Sequence, residues 1–133
     1  MLKKVLLCAA LIALGISGAL NAQQPPTPPI KRTILQKVDV PGTNFEVVLG
    51  MAEISANANV GRHTHPGPEE GTVAEGELIL MIDGQPEKSI KAGDSYQVPA
   101  GTIHDAKTGG GKPAKVIAVY VVPKGQPLAT PAK

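Results

Sequence analysis

Turn-forming residues cut this chain into runs too short for ordinary helices. Pro41-Gly42, Pro66-Gly67-Pro68, Asp83-Gly84, Ala92-Gly93-Asp94, Pro99-Ala100-Gly101 and Pro123 follow one another closely. Glycine supplies backbone conformations that other residues avoid, and proline removes a backbone donor, so both punctuate elements rather than fill them. Between them lie short stretches suited to strands: Thr33–Gln36, Phe45–Ile54 (one long strand or a pair), Val60–His65, Val73–Ile82, Lys88–Lys91, Ser95–Val98 and Lys115–Val122. Beyond residue 22 no window carries a helical apolar period with caps. Fifteen Gly and 13 Pro in 133 residues, falling between the strands, therefore predict an all-β sandwich or barrel. Val73, Leu78, Leu80, Met81, Ile82, Val98, Ile117 and Val119 are expected to line the barrel or its outer sheet.

The first residues read differently. Lys3-Lys4 precede an apolar run from Val5 to Ile16, and small residues follow at Ser17–Ala22. This is the layout of a secretory signal peptide over 1–22, with cleavage after Ala22 or, as second choice, Ala19. The apolar run is short for a membrane span, which needs about 20 residues. An uncleaved anchor is the alternative. A lipoprotein reading through Cys8 is disfavoured, because Leu7 stands where a small residue is needed. The expected location is periplasmic or extracellular, with no stable membrane span after processing.

Cleavage removes the only cysteine, so neither a disulfide nor a thiolate ligand is available to the mature chain. With Lys3 and Lys4 gone, the 13 basic residues fall to the number of acidic ones, 11. The mature chain is then nearly neutral, and nothing marks a nucleic-acid footprint. Residues 23–32 read as a Pro-rich linker (QQPPTPP leads it), 33–124 as one barrel domain, and 125–133 as a flexible tail without packing partners.

The chain has three histidines, His63, His65 and His104. His63 and His65 stand two apart on a predicted strand, so both imidazoles share one face, while Arg62 and Thr64 take the other. Pro66-Gly67-Pro68 bends the chain back to Glu69. Two imidazoles and a nearby carboxylate form a partial metal site that a third histidine can complete. Neutral imidazole suits Zn, Cu, Fe and Ni, and a carboxylate admits Mn.

The spacing around these residues resembles the cupin family. That family's first motif runs HxH, three or four residues, Glu, six residues, Gly; here it reads His63-Thr64-His65, three residues, Glu69, six residues, Gly76. The second runs Gly, five residues, Pro-x-Gly, two residues, His, three residues, Asn; here it reads Gly93, five residues, Pro99-Ala100-Gly101, Thr102-Ile103, His104. The two departures are Asn57, where a glycine ahead of the first motif is usual, and Thr108 in place of the final Asn.

The resemblance implies a double-stranded β-helix (jelly-roll, cupin) barrel, often a homodimer. It also implies one divalent transition metal (Fe, Mn, Ni, Cu or Zn) held by His63, His65, Glu69 and His104. Motif spacing favours Glu69 over Glu70, while Glu75 and Glu77 are expected to cap the turn at Gly76. Gly76, Gly93 and Gly101 are expected where strands bend.

Few other reactive groups remain: Tyr96, expected to pack in the sheet, with a place at the barrel mouth as the alternative; Tyr120, expected in the core; Arg62 and Glu70. The ligand set leads to an oxygenase-like enzyme acting on a small, oxygen-chelating organic molecule in an apolar pocket. The alternative is a non-enzymatic carrier of metal or small ligand. A sensor domain is disfavoured by the absence of a helix-turn-helix segment.

Overall fold

The computed structural model describes residues 29–133 and contains ten strands. The residues read as a signal peptide, 1–22, and the first part of the expected Pro-rich linker lie outside the described residues. In chain order the strands are β1 (Ile30–Asp39), β2 (Phe45–Ile54), β3 (His63–Thr64), β4 (Glu69–Glu75), β5 (Glu77–Ile82), β6 (Lys88–Lys91), β7 (Ser95–Val98), β8 (His104–Thr108), β9 (Ala114–Pro123) and β10 (Thr130–Pro131). They form two antiparallel five-stranded sheets, ordered β1-β2-β9-β4-β7 and β10-β3-β8-β5-β6. This is the expected all-β, double-stranded β-helix architecture. Among the described residues no helix is long and apolar enough to cross a membrane.

Phe45–Ile54 is one long strand rather than a pair. It matches β9 residue for residue, from Phe45 opposite Pro123 to Ile54 opposite Ala114. Val73–Ile82 is not one strand. Gly76 breaks it with φ 79°, and β4 and β5 enter opposite sheets. A side chain there would need an unfavourable backbone conformation and would also run into the carbonyl of Pro113.

The core lies between the sheets. Val73, Leu78, Ile90, Val98 and Val116 are fully enclosed. Burial of such side chains contributes about 1.5–3 kcal/mol each relative to leaving them in water. Of the residues expected to line the barrel or its outer sheet, Ile117 and Val119 take the outer face: Ile117 is 38% exposed, and Val119 is only half-buried. Val116, Ala118 and Tyr120 take the inward positions instead. The run is apolar on both faces, so its alternation carries no register.

Both ends of the barrel domain correct the sequence reading. Ile30–Arg32, assigned to the linker, belong to β1, where Ile30 pairs with Ile54 and packs on the core. The tail, expected to be flexible and unpacked, carries β10: Thr130 pairs with Thr64 and Pro131 with His63. Ala132 N–H also donates to the carbonyl of Arg62 at 2.9 Å. These contacts use backbone groups, which a polar, patternless sequence does not advertise.

The two departures from the cupin motifs are absorbed locally. Asn57 adopts φ 58° and is the only non-glycine at positive φ among the described residues, a conformation asparagine tolerates well. The Thr108 hydroxyl donates to the Ser55 carbonyl and accepts from Ala58 N–H, both at 3.3 Å.

Candidate metal centre

His63, His65 and His104 converge in the barrel interior. His63 opens β3, His104 opens β8, and the two are paired across the strands. His65 follows β3 immediately, two residues on from His63, so its ring faces the same side. The ring centroids lie 4.2 Å apart for His63 and His104, 4.8 Å for His63 and His65, and 5.1 Å for His65 and His104. One ligand atom from each histidine falls within 4.8 Å of the others, so the three are placed to hold a metal ion.

Their tautomers are set by the backbone. Nδ1 of His63 contacts the Gly61 carbonyl at 2.7 Å, Nδ1 of His65 the Leu128 carbonyl at 2.6 Å, and Nδ1 of His104 the Thr102 carbonyl at 3.0 Å. A carbonyl only accepts, so each Nδ1 carries the proton and each neutral ring keeps its lone pair on Nε2. The Gly61 carbonyl is itself steadied, because Gly61 N–H donates to Asp105 at 2.8 Å and Asn59 holds that carboxylate's other oxygen at 3.0 Å.

Glu69 enters from the opposite sheet. Its Oε2 lies 3.2 Å from Nε2 of both His65 and His104. With protons on Nδ1, two imidazole lone pairs face a carboxylate oxygen with nothing between them. Nε2 of His65 is indeed buried without a hydrogen-bond donor or acceptor in proper geometry. Such an arrangement requires a cation: a proton on an imidazole, or a metal. Three nitrogens and one oxygen make a donor set that fits a divalent transition ion.

The electrostatics follow from enclosure. Burial pushes the Glu69 carboxyl up, but the facing imidazoles of His104 and His65 and the hydroxyl of Tyr96 more than offset this, holding it well below the usual carboxylate range. Burial lowers His63. Burial opposes protonation of His104 too, yet Glu69 and the Thr102 carbonyl outweigh it and raise that ring.

Two side chains assigned to packing belong to this centre. Tyr96 donates to Oε1 of Glu69 at 2.8 Å, and Tyr120 reaches the same oxygen at 3.4 Å. Burial and then the negative charge of Glu69 raise both phenols far above their ordinary value, so both stay protonated donors. Tyr120 stands directly opposite Glu69 on β9, and Tyr96 sits on β7 opposite Gly71, two residues along. Leu128, from the tail, also joins the centre. The tyrosines follow from strand pairing, which no local pattern displays.

Glu70 points away. It is exposed and accepts from Gln97 Nε2 at 3.0 Å. Arg62 also faces out, forked onto Asp83 at 2.8 and 2.9 Å. Glu77 turns toward Gly109 and Ser89, and Glu75 pairs with Lys115 at 2.7 Å.

Residues 50–120 match the cupin domain family. The chain belongs to the cupin family. Similar solved structures include a conserved Klebsiella pneumoniae protein with a double-stranded β-helix domain, at 22% identity over 83% of this chain and 90% of that one, TM-score 0.62. The polyketide cyclase RemF from Streptomyces resistomycificus shares 25% identity over 84% of this chain and 76% of its own, TM-score 0.62. An oxalate oxidase bound to the substrate analogue glycolate shares 23% identity over 56% of this chain, TM-score 0.53; this cupin spans only 41% of that protein. These likenesses show the fold. A comparison with curated proteins found no match.

Beside the three histidines lies an interior cavity of about 80 Å³, walled largely by apolar side chains such as Ile54, Leu78, Leu80 and Val116. It has room for a few waters, or for a metal-bound organic molecule of few atoms.

Proposed function

We propose that this cupin holds one divalent transition metal through Nε2 of His63, His65 and His104 and Oε2 of Glu69, and acts as an oxygenase-like enzyme on a small, oxygen-chelating organic molecule. The observation that carries the reading is the facing of imidazole lone pairs and a carboxylate oxygen inside a buried cavity, with every Nδ1 already tied to a carbonyl.

A bound divalent ion supplies Lewis acidity toward substrate oxygens and, where redox-active, one-electron chemistry. The residues supply the rest. The carbonyls of Gly61, Leu128 and Thr102 hold the rings in register. Tyr96 and Tyr120 occupy Oε1 of Glu69, which leaves Oε2 for the ion. The apolar wall excludes bulk water and limits substrate size.

The N-terminal layout supports export to a periplasmic or extracellular location. Exposed Leu35 and Val38 on edge strand β1, with Phe45 beside it on β2, support a homodimer.

One observation favours a second reading, a carrier without turnover. Both phenols of the cavity are committed to Glu69, so among the described residues that line the cavity neither tyrosine is a free proton donor beside the centre. Oxygen uptake separates the two. Protein loaded in turn with Fe(II), Mn(II), Ni(II) and Cu(II) is assayed aerobically against enediols and β-diketones. Turnover with at least one metal supports the enzyme; bound metal without oxygen uptake or product supports the carrier.

A further inference from the structure

Arg32 is an exposed residue that lines the cavity and has no ion-pair partner among the described residues. It lies on β1 among Ile30, Thr33 and Ile34, which line the same cavity, and it pairs with Ala52, which packs on the core. Arg32 is the only lysine or arginine among the cavity's lining residues, and Glu69 is the only acid. The cations flanking it on this strand are paired: Lys31 with Glu53 at 3.0 Å and Lys37 with Glu46 at 2.8 Å. Arg32 forms no ion pair among the described residues, and residues 1–28 contain no aspartate or glutamate that could serve it.

With a divalent ion at the centre, the ion and the Arg32 guanidinium would together face one carboxylate, and an anionic ligand would suit both. A guanidinium presents a rigid fork of donors that matches a carboxylate at two points. The wall between Arg32 and the histidines is apolar, and the space admits only a short body.

We infer that the ligand of this cavity is a short-chain organic acid with a second oxygen donor, its carboxylate held by Arg32 and its other oxygen directed to the metal centre. This rests on the metal reading above and narrows its substrate class from any oxygen chelator to an anion.

The test uses Co(II)-loaded full-length protein, whose visible absorption reports ligand arrival at the metal. Pyruvate is the probe, and methyl pyruvate is its neutral counterpart. Wild type should bind pyruvate, and Arg32→Gln should bind it at least about tenfold more weakly, the scale of a lost charge-assisted pair. Arg32→Lys should recover part of the loss, and methyl pyruvate should bind all three proteins equally. The spectrum without ligand should not change between variants. Equal pyruvate affinity in wild type and Arg32→Gln overturns the inference while leaving the metal reading intact, and so does an equal loss for the neutral ester. Failure of wild type to take up cobalt removes the metal reading and the inference with it.

Discussion

The hydroxyl of Tyr96 and the carboxylate of Glu69 meet at 2.8 Å across the β4–β7 pair, on the oxygen that faces away from the histidines. Tyr96 reaches it by passing directly over Gly71, where an added Cβ would fall within the phenol ring. The glycine, the phenol and the carboxylate form one mechanical unit. It fixes which oxygen of Glu69 looks toward the imidazoles.

Tyr96→Phe should therefore fold normally and bind metal about 10–100-fold more weakly, the usual cost of removing a group that orients a ligand. Gly71→Ala should show the same loss by displacing the ring. Competition against a chelator of known affinity measures both. Unchanged affinity in Tyr96→Phe would remove the positioning role.

Deletion of residues 127–133 takes away the Leu128 carbonyl that holds Nδ1 of His65 at 2.6 Å, together with β10. Both main sheets keep their other strands, so the barrel should remain folded by circular dichroism. Metal affinity should fall by about one to two orders of magnitude. Wild-type affinity in the truncated protein would make the tail incidental to the centre.

Acid should weaken the metal-free barrel through Glu69. Its folded pKa lies below the ordinary 4.5, so its contribution to stability is present above that value and is lost as pH falls through the folded one. Urea unfolding between about pH 6 and pH 3 should show a steeper loss in wild type than in Glu69→Gln. Parallel pH profiles for the two would contradict the assignment of Glu69 as a buried, ionised carboxylate.

Much of this arrangement is written in local patterns. Alternation places the His63 and His65 rings together, Gly and Pro mark the strand ends, and the spacing to Gly76 separates Glu69 from Glu70. What was not visible depends on which strands become neighbours. Tyr120 looks like one more apolar residue in KVIAVYVV until β9 is laid against β4, where it faces Glu69. Ile117 and Val119 look as buried as Val116 for the same reason. The tail and Ile30–Arg32 contribute through backbone pairing and a single carbonyl, for which residue identity gives no signal. Arg32 is unremarkable in sequence, and only the cavity behind it makes its missing partner meaningful.

Removing a histidine should empty the centre without unfolding the chain, because buried core residues such as Val73 and Ile90 lie outside the cavity lining. His65→Ala and His104→Ala should each keep the strand signature in circular dichroism and lose most bound metal. A collapse of the fold in both would mean that the histidines serve structure first.

The most direct measurement is the metal content of wild-type protein purified from its native compartment, set beside His104→Ala and determined by elemental analysis per chain. The four-residue centre requires close to one divalent transition ion per chain in wild type and nearly none in the variant. No metal in wild type, or full occupancy in His104→Ala, would contradict it.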